Sequence, residues 1–282
     1  MLKNFYCLYD STSTSLNLEE RVSSLKFSCQ KQGVRFFGLD QQNLELGLPV
    51  LGEKDGIFNI AKGSYLLETQ LLNEKVKSIY RTYNHLNQND DSNILTFELI
   101  KKGFNLPKTI FLPSTSTKLQ LEQIKSLGGF PIILKTFGNS SGVGVMKVDS
   151  WASFRSLKDY LFSINEKFMM REFIDVDYSD RVAVLGDRVL YVLRRPNKEG
   201  DFRSDGFHKE VKEVELSGEL NDYFVKAAHA CNFNFAGLDI IYNRFGKPYI
   251  LEVNAPFNFA ANEKKLGRSI SMELIRWMKE NH

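Results

Sequence analysis

Leu238-Asp239-Ile240-Ile241-Tyr242 and Tyr249-Ile250-Leu251-Glu252-Val253-Asn254 flank Asn243-Arg244-Phe245-Gly246-Lys247-Pro248. The outer runs are apolar and strand-like, and the middle is a turn. A hairpin symmetric about Phe245–Gly246 sets Asp239 directly across from Glu252. Alternation along the strand puts Asn254 on the face of Glu252, with Leu251 and Val253 turned into apolar packing. Two opposed carboxylates repel unless a cation joins them. Oxygen-only donors select a hard cation, and magnesium is typically held by a few carboxylates plus substrate phosphates. Asp239, Glu252 and Asn254 are therefore candidate metal ligands. A solvated hairpin end carrying incidental acids is the alternative.

Upstream, Ile132-Ile133-Leu134-Lys135 reads as a strand running into Thr136-Phe137-Gly138-Asn139-Ser140-Ser141-Gly142-Val143-Gly144-Val145. Amides in such a small-residue loop approach phosphate oxygens closely, and Lys135 adds a point charge. The order is neither that of a P-loop nor that of a dinucleotide fingerprint, and a glycine-rich hairpin with a surface lysine fits equally. Arg181 to Leu185, Gly186-Asp187 and Arg188 to Leu193 read as a two-residue-turn hairpin that delivers Arg194-Arg195 to a loop. Arginines beside a phosphate site suit anionic transition states; a basic surface loop is the plainer reading.

The wider chain reads as α/β. Strands are expected at Phe5–Tyr9, Gly33–Gly38 and Val76–Thr82. Helices are expected at Arg21–Lys31 (Val22, Leu25 and Cys29 on one face), Ser64–Glu74 and Ile94–Lys102, the last closed by Gly103. Pro107 and Pro113 bracket an extended piece. Ser150 caps a helix striped by Phe154, Leu157, Leu161 and Ile164, and Ser269–Lys279 closes the chain as a helix. The polar run 84–92 marks a boundary, giving a pre-domain at 1–87 and a larger unit at 88–282, divided near 170/171.

The 282 residues are 43% hydrophobic and 25% charged with net charge +3, which favours neither nucleic acid nor a membrane surface as partner. Cys7, Cys29 and Cys231 are too scattered for a disulfide framework or a zinc site, and His85, His208, His229 and His282 lack ligand spacing. No targeting signal or membrane-length apolar run is visible, so a cytoplasmic setting is expected.

Taken in order, Lys135 with its loop, Arg171-Glu172-Phe173-Ile174, Arg181 to Gly186, Arg194-Arg195, Lys198 to Ser204, Leu238-Asp239-Ile240 and Leu251 to Asn254 resemble ATP-grasp ligases of the RimK type. That family is named for an enzyme that adds glutamates to a ribosomal protein. The resemblance runs from about Asp91 through Ile275-Arg276-Trp277. It implies an ATP-grasp fold with a small N-terminal α/β pre-domain, and ATP held between a central and a C-terminal subdomain. It implies that Lys135 and the loop at Ser140, Ser141 and Gly142 meet phosphates, and that Glu172, Phe173 and Ile174 form the adenine hinge. Arg203 and Ser204 would reach the nucleotide, Arg195 and Arg203 would serve the acyl-phosphate centre, and Asp239, Glu252 and Asn254 would hold two magnesium (or manganese) ions.

The implied activity is amide formation from a carboxylate and an amine through an acyl phosphate. Partners would be ATP, an amino acid such as glutamate and a peptide or protein acceptor, with room for a homo-oligomer. Peptide cyclisation, dipeptide synthesis and nucleotide binding without catalysis are the rivals. The chain departs from the family at five places, one of them Arg203-Ser204-Asp205 where Arg-Ser-Asn is usual. Asp91-Ser92-Asn93 stands where a lysine is usual. Ser179 occupies the ribose-aspartate position, with Asp180 the nearest substitute and Asp177 close by. His208-Lys209-Glu210 replaces a glycine pair, and Ala255-Pro256-Phe257-Asn258-Phe259 replaces Ser-Pro-Gly.

Overall fold

The computed structural model describes residues 1–12, 17–43, 48–61, 65–83, 92–137, 142–197, 202 and 211–281. Three sheets organise them. The first is parallel, with β1 (Asn4–Tyr9) between β2 (Arg35–Asp40) and β3 (Asp55–Asn59). Helix α1 (Leu18–Lys31) links β1 to β2. Glu19 and Glu20 in its first turn and Lys31 in its last complement the helix dipole. Its inward face is Arg21, Leu25, Ser28 and Cys29, with Val22 at the margin.

Two features of this unit differ from expectation. β3 was not foreseen, because Asp55-Gly56 breaks an apolar reading. Gly56 is there for a tertiary reason, since a Cβ on it would lie 2.9 Å from Leu2 Cδ1. The strand expected at Val76–Thr82 is instead a connector with isolated bridges Gly56–Lys77 and Tyr80–Phe233. Its backbone bonds to Ile57 and Asp55 on one side and to Asn234 and Asn232 on the other. That divided pairing stitches the first sheet to the last. The helix expected over 64–74 is α2 (Tyr65–Leu71).

Helix α3 (Ser92–Lys101) ends before Gly103, whose φ of 77° suits glycine. It was assigned by sequence to the central unit. It packs instead on the C-terminal one: Leu99 joins the main core, and the following Asn105 carbonyl accepts from Ile250 N. The central sheet is β4 (Thr109–Ile110), β7 (Phe168–Glu172), β5 (Ile132–Thr136) and β6 (Val145–Val148) in spatial order. β7 spans the expected division near 170 and pairs with both β4 and β5, so this sheet ends at Glu172. Helices α4 (Thr117–Ser126) and α5 (Trp151–Ser163) cover one face. Ser150 Oγ accepts from Ser153 N at 3.2 Å, as a cap should. Phe154 and Leu161 are buried, whereas Ile164 falls beyond the helix and is 53% exposed, so the stripe stops one turn early.

The third sheet is antiparallel: β10 (Lys212–Glu213), β9 (Arg188–Pro196), β8 (Tyr178–Leu185), β11 (Phe235–Tyr242) and β12 (Pro248–Asn254). Helices α6 (Gly218–Ala230), α7 (Ala260–Leu266) and α8 (Ile270–Glu280) pack around it. One core runs from the first sheet into this one, with the Phe58 and Phe235 rings 5.8 Å apart. The central sheet keeps a separate core, built on Ile132, Leu134, Phe154, Phe168 and Met170.

Candidate active site

The β11–β12 hairpin places Asp239 opposite Glu252 and Gly237 opposite Asn254. The register shifts between Asp239 and Ile240, where Ile240 meets Ile250 and leaves Leu251 unpaired. Ile250 is therefore the fully buried residue beside Val253, and Leu251 is only half-buried, against the strict alternation expected.

Asp239 is held on several sides. Arg181, its neighbour across on β8, donates from Nη2 to Oδ2 at 2.8 Å, while its Nε stands 2.8 Å from Oδ1 in an ion pair whose direction makes no hydrogen bond. Asn254 Nδ2 donates to Oδ2 at 3.2 Å, and Arg195 Nη1 stands 3.9 Å from Oδ1. Gly237 makes room, since a Cβ there would lie 2.9 Å from Phe257 Cγ and 3.0 Å from Arg181 Nη1. Arg195 is 8% exposed, and its Nε has no hydrogen-bond partner among the described residues. Burial lowers its affinity for a proton, neighbouring Arg181 lowers it further, and Asp239 opposes both.

The donors fit a hard cation: two carboxylates and an amide, all oxygen ligands, with Asn254 Oδ1 left over while its nitrogen serves Asp239. Among the described residues no group of three or more His, Cys, Asp or Glu could hold a metal. The remaining ligands would therefore be nucleotide phosphates and water, the usual arrangement for magnesium.

Asp180 is a correction. It lies on β8 next to Arg181, so it points to the opposite face from Asp239. It is 0% exposed and bonds Arg194 twice, to Nε and Nη2, each at 2.9 Å. The Arg194 guanidinium in turn sits 3.9 Å over the Tyr178 ring. A carboxylate wholly buried beneath Arg194 is not open to a ribose. Arg194 and Arg195 also lie within β9 rather than in a loop, and the strand sends them to opposite faces.

On the central sheet, Ile132, Leu134, Phe168, Met170 and Val148 face its core. By alternation the other face carries Lys135, Lys147 and Arg171. Arg171 is 7% exposed, donates to Thr109 Oγ1 at 3.0 Å, and reaches across to the Leu251 carbonyl oxygen of β12 at 3.5 Å. Burial lowers its proton affinity and Glu252 raises it. The central sheet thus presents cations toward the strand that bears the acids. Gly142 has a φ of 76°, and its carbonyl accepts from Val145 N. Ser140, Ser141, Arg203 and Ser204 lie outside the described residues.

Glu172 Oε1 accepts from Lys108 N at 2.8 Å. Phe173 is half-buried, with Lys147 Nζ 4.0 Å over its ring and Phe202 edge-on at 6.2 Å; Ile174 beside it is also half-buried. Sequence reasoning gave Arg181 and Lys147 no role. The partner of Arg181 follows only from the order of strands β8 and β11, which the sequence does not print. The place of Lys147 follows from its registry with β5, two residues beyond Lys135's partner Val145.

The central and C-terminal sheets approach each other at these charges, through Arg171 and the Leu251 carbonyl, and comparison with solved structures gives the fold. The ATP-grasp ligase PsnB complexed with a minimal precursor superposes with TM-score 0.73 at 16% identity, covering 99% of both chains. D-alanine–D-alanine ligase from Bacillus anthracis complexed with ATP gives TM-score 0.67 at 18% identity, covering all of both chains. The fold is ATP-grasp.

Residues 91–278 match the RimK-like ATP-grasp domain model, and the chain belongs to that family. A probable alpha-L-glutamate ligase of Alkalilimnicola ehrlichii is 29% identical over 91% of this chain and 83% of its own length. The ribosomal protein bS6–L-glutamate ligase of Escherichia coli is 31% identical over 65% of this chain and 61% of its own length. The match likewise spans 61% of the probable alpha-L-glutamate ligase of Syntrophotalea carbinolica.

Proposed function

We propose that the protein is an ATP-dependent carboxylate–amine ligase that forms an amide through an acyl phosphate. The reading is carried by the single face on which Asp239, Glu252, Asn254, Arg181 and Arg195 meet. Lys135, with the loop at Ser140, Ser141 and Gly142, would hold the nucleotide phosphates from the central sheet. Glu172, Phe173 and Ile174 would line the base, and Arg203 and Ser204 would add contacts from the long loop. Asp239, Glu252 and Asn254 would hold magnesium or manganese, two ions by family pattern, which neutralises charge on the transferring phosphoryl group.

A substrate carboxylate oxygen attacks the γ-phosphorus and ADP leaves. An amine then adds to the acyl carbon. Arg195, buried beside Asp239, stabilises the oxyanion that forms, and phosphate departs as the amide closes. The names of the relatives support glutamate as amino-acid substrate and a peptide or protein end as acceptor. No helix among the described residues is long and apolar enough to cross a membrane. The three free, buried cysteines support a reducing cytoplasmic setting.

The test is to incubate protein, magnesium–ATP and glutamate with hydroxylamine, which captures activated acyl groups. Hydroxamate and ADP are expected in equal amounts, and Glu252→Ala should abolish both while leaving the protein folded. AMP and pyrophosphate as the matched products would overturn the acyl phosphate.

A further inference from the structure

Simple alternation along β12 cannot aim Glu252 at Asp239. Ile250 and Glu252 are two apart and would share a face. Instead Ile250 is fully buried opposite Ile240, while Glu252 lies opposite Asp239, on the other side of the sheet. Leu251, the extra residue between them, lets both faces be met. A bulge of this kind bends its strand and re-aims the side chains beside it, and it leaves one backbone position outside the ladder. The direction of the Glu252 carboxylate is therefore only as fixed as the Leu251 bulge.

β12 is the last strand of its sheet, so the bulge is held from outside by other parts of the chain. On the residue before it, Ile250 N donates to the Asn105 carbonyl at 2.9 Å. On Leu251 itself, the carbonyl accepts from Arg171 Nη1 of the central sheet at 3.5 Å. Arg171 is oriented in turn by its neighbour on β4. Its Nε donates to Thr109 Oγ1 at 3.0 Å, and the Thr109 hydroxyl donates to the Pro107 carbonyl at 2.9 Å. The guanidinium is buried and has no ion-pair partner among the described residues. Burying such a charge is costly, and an apolar side chain of similar length would fill the space without that cost. It could not donate to the bulge.

We propose that Arg171 is a positioning residue for Glu252: by pinning the Leu251 carbonyl it holds the bulge that turns the Glu252 carboxylate toward Asp239 and the ion. The inference rests on the ligase reading for the ion and its nucleotide. Arg171 acts through the backbone of β12. Electrostatics alone predicts the opposite sign, because a buried positive charge beside an ion site repels the ion, and its removal tightens binding. Positioning predicts looser binding, and more so for an ion that is strict about geometry. Magnesium and manganese demand near-octahedral oxygen ligands, whereas calcium tolerates displaced ones.

The test needs no turnover. Manganese is titrated into the protein with a non-hydrolysable ATP analogue, free ion is read by electron paramagnetic resonance, and calcium is measured by competition. Arg171→Met should weaken manganese about tenfold, the usual loss when a group supporting a metal ligand is removed. Calcium should weaken by less than about threefold. Thr109→Val keeps the Arg171 charge and releases only its Nε, so it is the milder variant. It should show the same preference, with manganese weakened about threefold and calcium unchanged. Circular dichroism checks that both variants are folded.

Tighter binding of both ions in Arg171→Met would make the residue a plain repelling charge and overturn the positioning role. Equal losses for manganese and calcium would reduce it to general loosening and overturn the role as well, as would manganese affinity indifferent to both variants. A wild type that binds no manganese with the nucleotide would remove the metal set, and Arg171's role with it. If manganese binding depends on Arg171 as described but no carboxylate elicits ADP release, the ligase reading falls and the positioning role stands.

Discussion

Asp180 and Asp239 sit on adjacent antiparallel strands, each paired with an arginine through two contacts near 2.9 Å. Asp180 is wholly buried, its arginine stacked on Tyr178, and no solvent reaches the carboxylate. The Asp239 side chain is 21% exposed and shares its face with Glu252, Asn254 and a second arginine. The same pair of residue types is structural on one face of the sheet and poised for chemistry on the other. What differs is whether the carboxylate keeps room for another partner.

The largest expected effect breaks the pair at Asp180. Arg194→Leu strands a buried carboxylate, and such losses cost about 3–5 kcal/mol. Arg181→Leu should cost about 1–2 kcal/mol, because Asp239 retains the Asn254 amide and some water. Urea unfolding of both variants measures the contrast. Equal losses would mean the two faces are equally structural.

Glu68 sharpens the comparison as a second buried acid, one with no cation paired to it among the described residues. It is 1% exposed and accepts from Asn59 Nδ2 and the Tyr80 hydroxyl at 3.0 and 3.1 Å. Burial pushes its carboxyl from 4.5 up to about 7, against those two hydrogen bonds. The folded state therefore holds this proton more tightly than the unfolded chain. Its contribution is fully present below about pH 4.5 and is lost as pH rises to about 7. The slope in that window is at most roughly 1.4 kcal/mol per pH unit. Glu68→Gln should flatten it; an unchanged pH profile in that variant would contradict the assignment.

A smaller effect is expected at Gly237, where an added Cβ meets Phe257 Cγ at 2.9 Å and Arg181 Nη1 at 3.0 Å. Gly237→Ala should cost about 1–2 kcal/mol by overpacking. By pushing Arg181 off Asp239 it should also lower ADP release more than the stability loss explains. A variant less stable but equally active would show that Arg181 need not stay on Asp239.

The hairpin was legible because its turn and two apolar runs fix the register near Asp239. The Leu251 bulge was not, since it is set by Ile250 entering the core. Asp180 was misread because strand order decides which face of β8 meets Asp239, and strand order is a long-range fact. Helix α4 was missed because Leu119 and Leu121 are 49% and 47% exposed while Gln120 and Ile124 are buried, so its apolar period points the wrong way.

The smallest and most discriminating change is Asn254→Asp. Asn254 Nδ2 now donates to Asp239 Oδ2 at 3.2 Å. An aspartate there loses that donor and sets a third carboxylate on the face of Asp239 and Glu252. With a chelator present, like-charge repulsion should cost about 1 kcal/mol, or about 2–4 °C in melting temperature for a chain of this size. Magnesium should reverse the loss, since the substitution offers the ion a charged carboxylate oxygen in place of a neutral amide oxygen. The variant's magnesium-induced rise in melting temperature should therefore exceed the wild type's by about the same few degrees. Asp180→Asn supplies the control on the other face: its destabilisation should be the same with and without magnesium. A magnesium shift no larger in Asn254→Asp than in the wild type would mean that Asp239, Glu252 and Asn254 do not hold the ion together, and the contrast between the two aspartates would reduce to depth of burial.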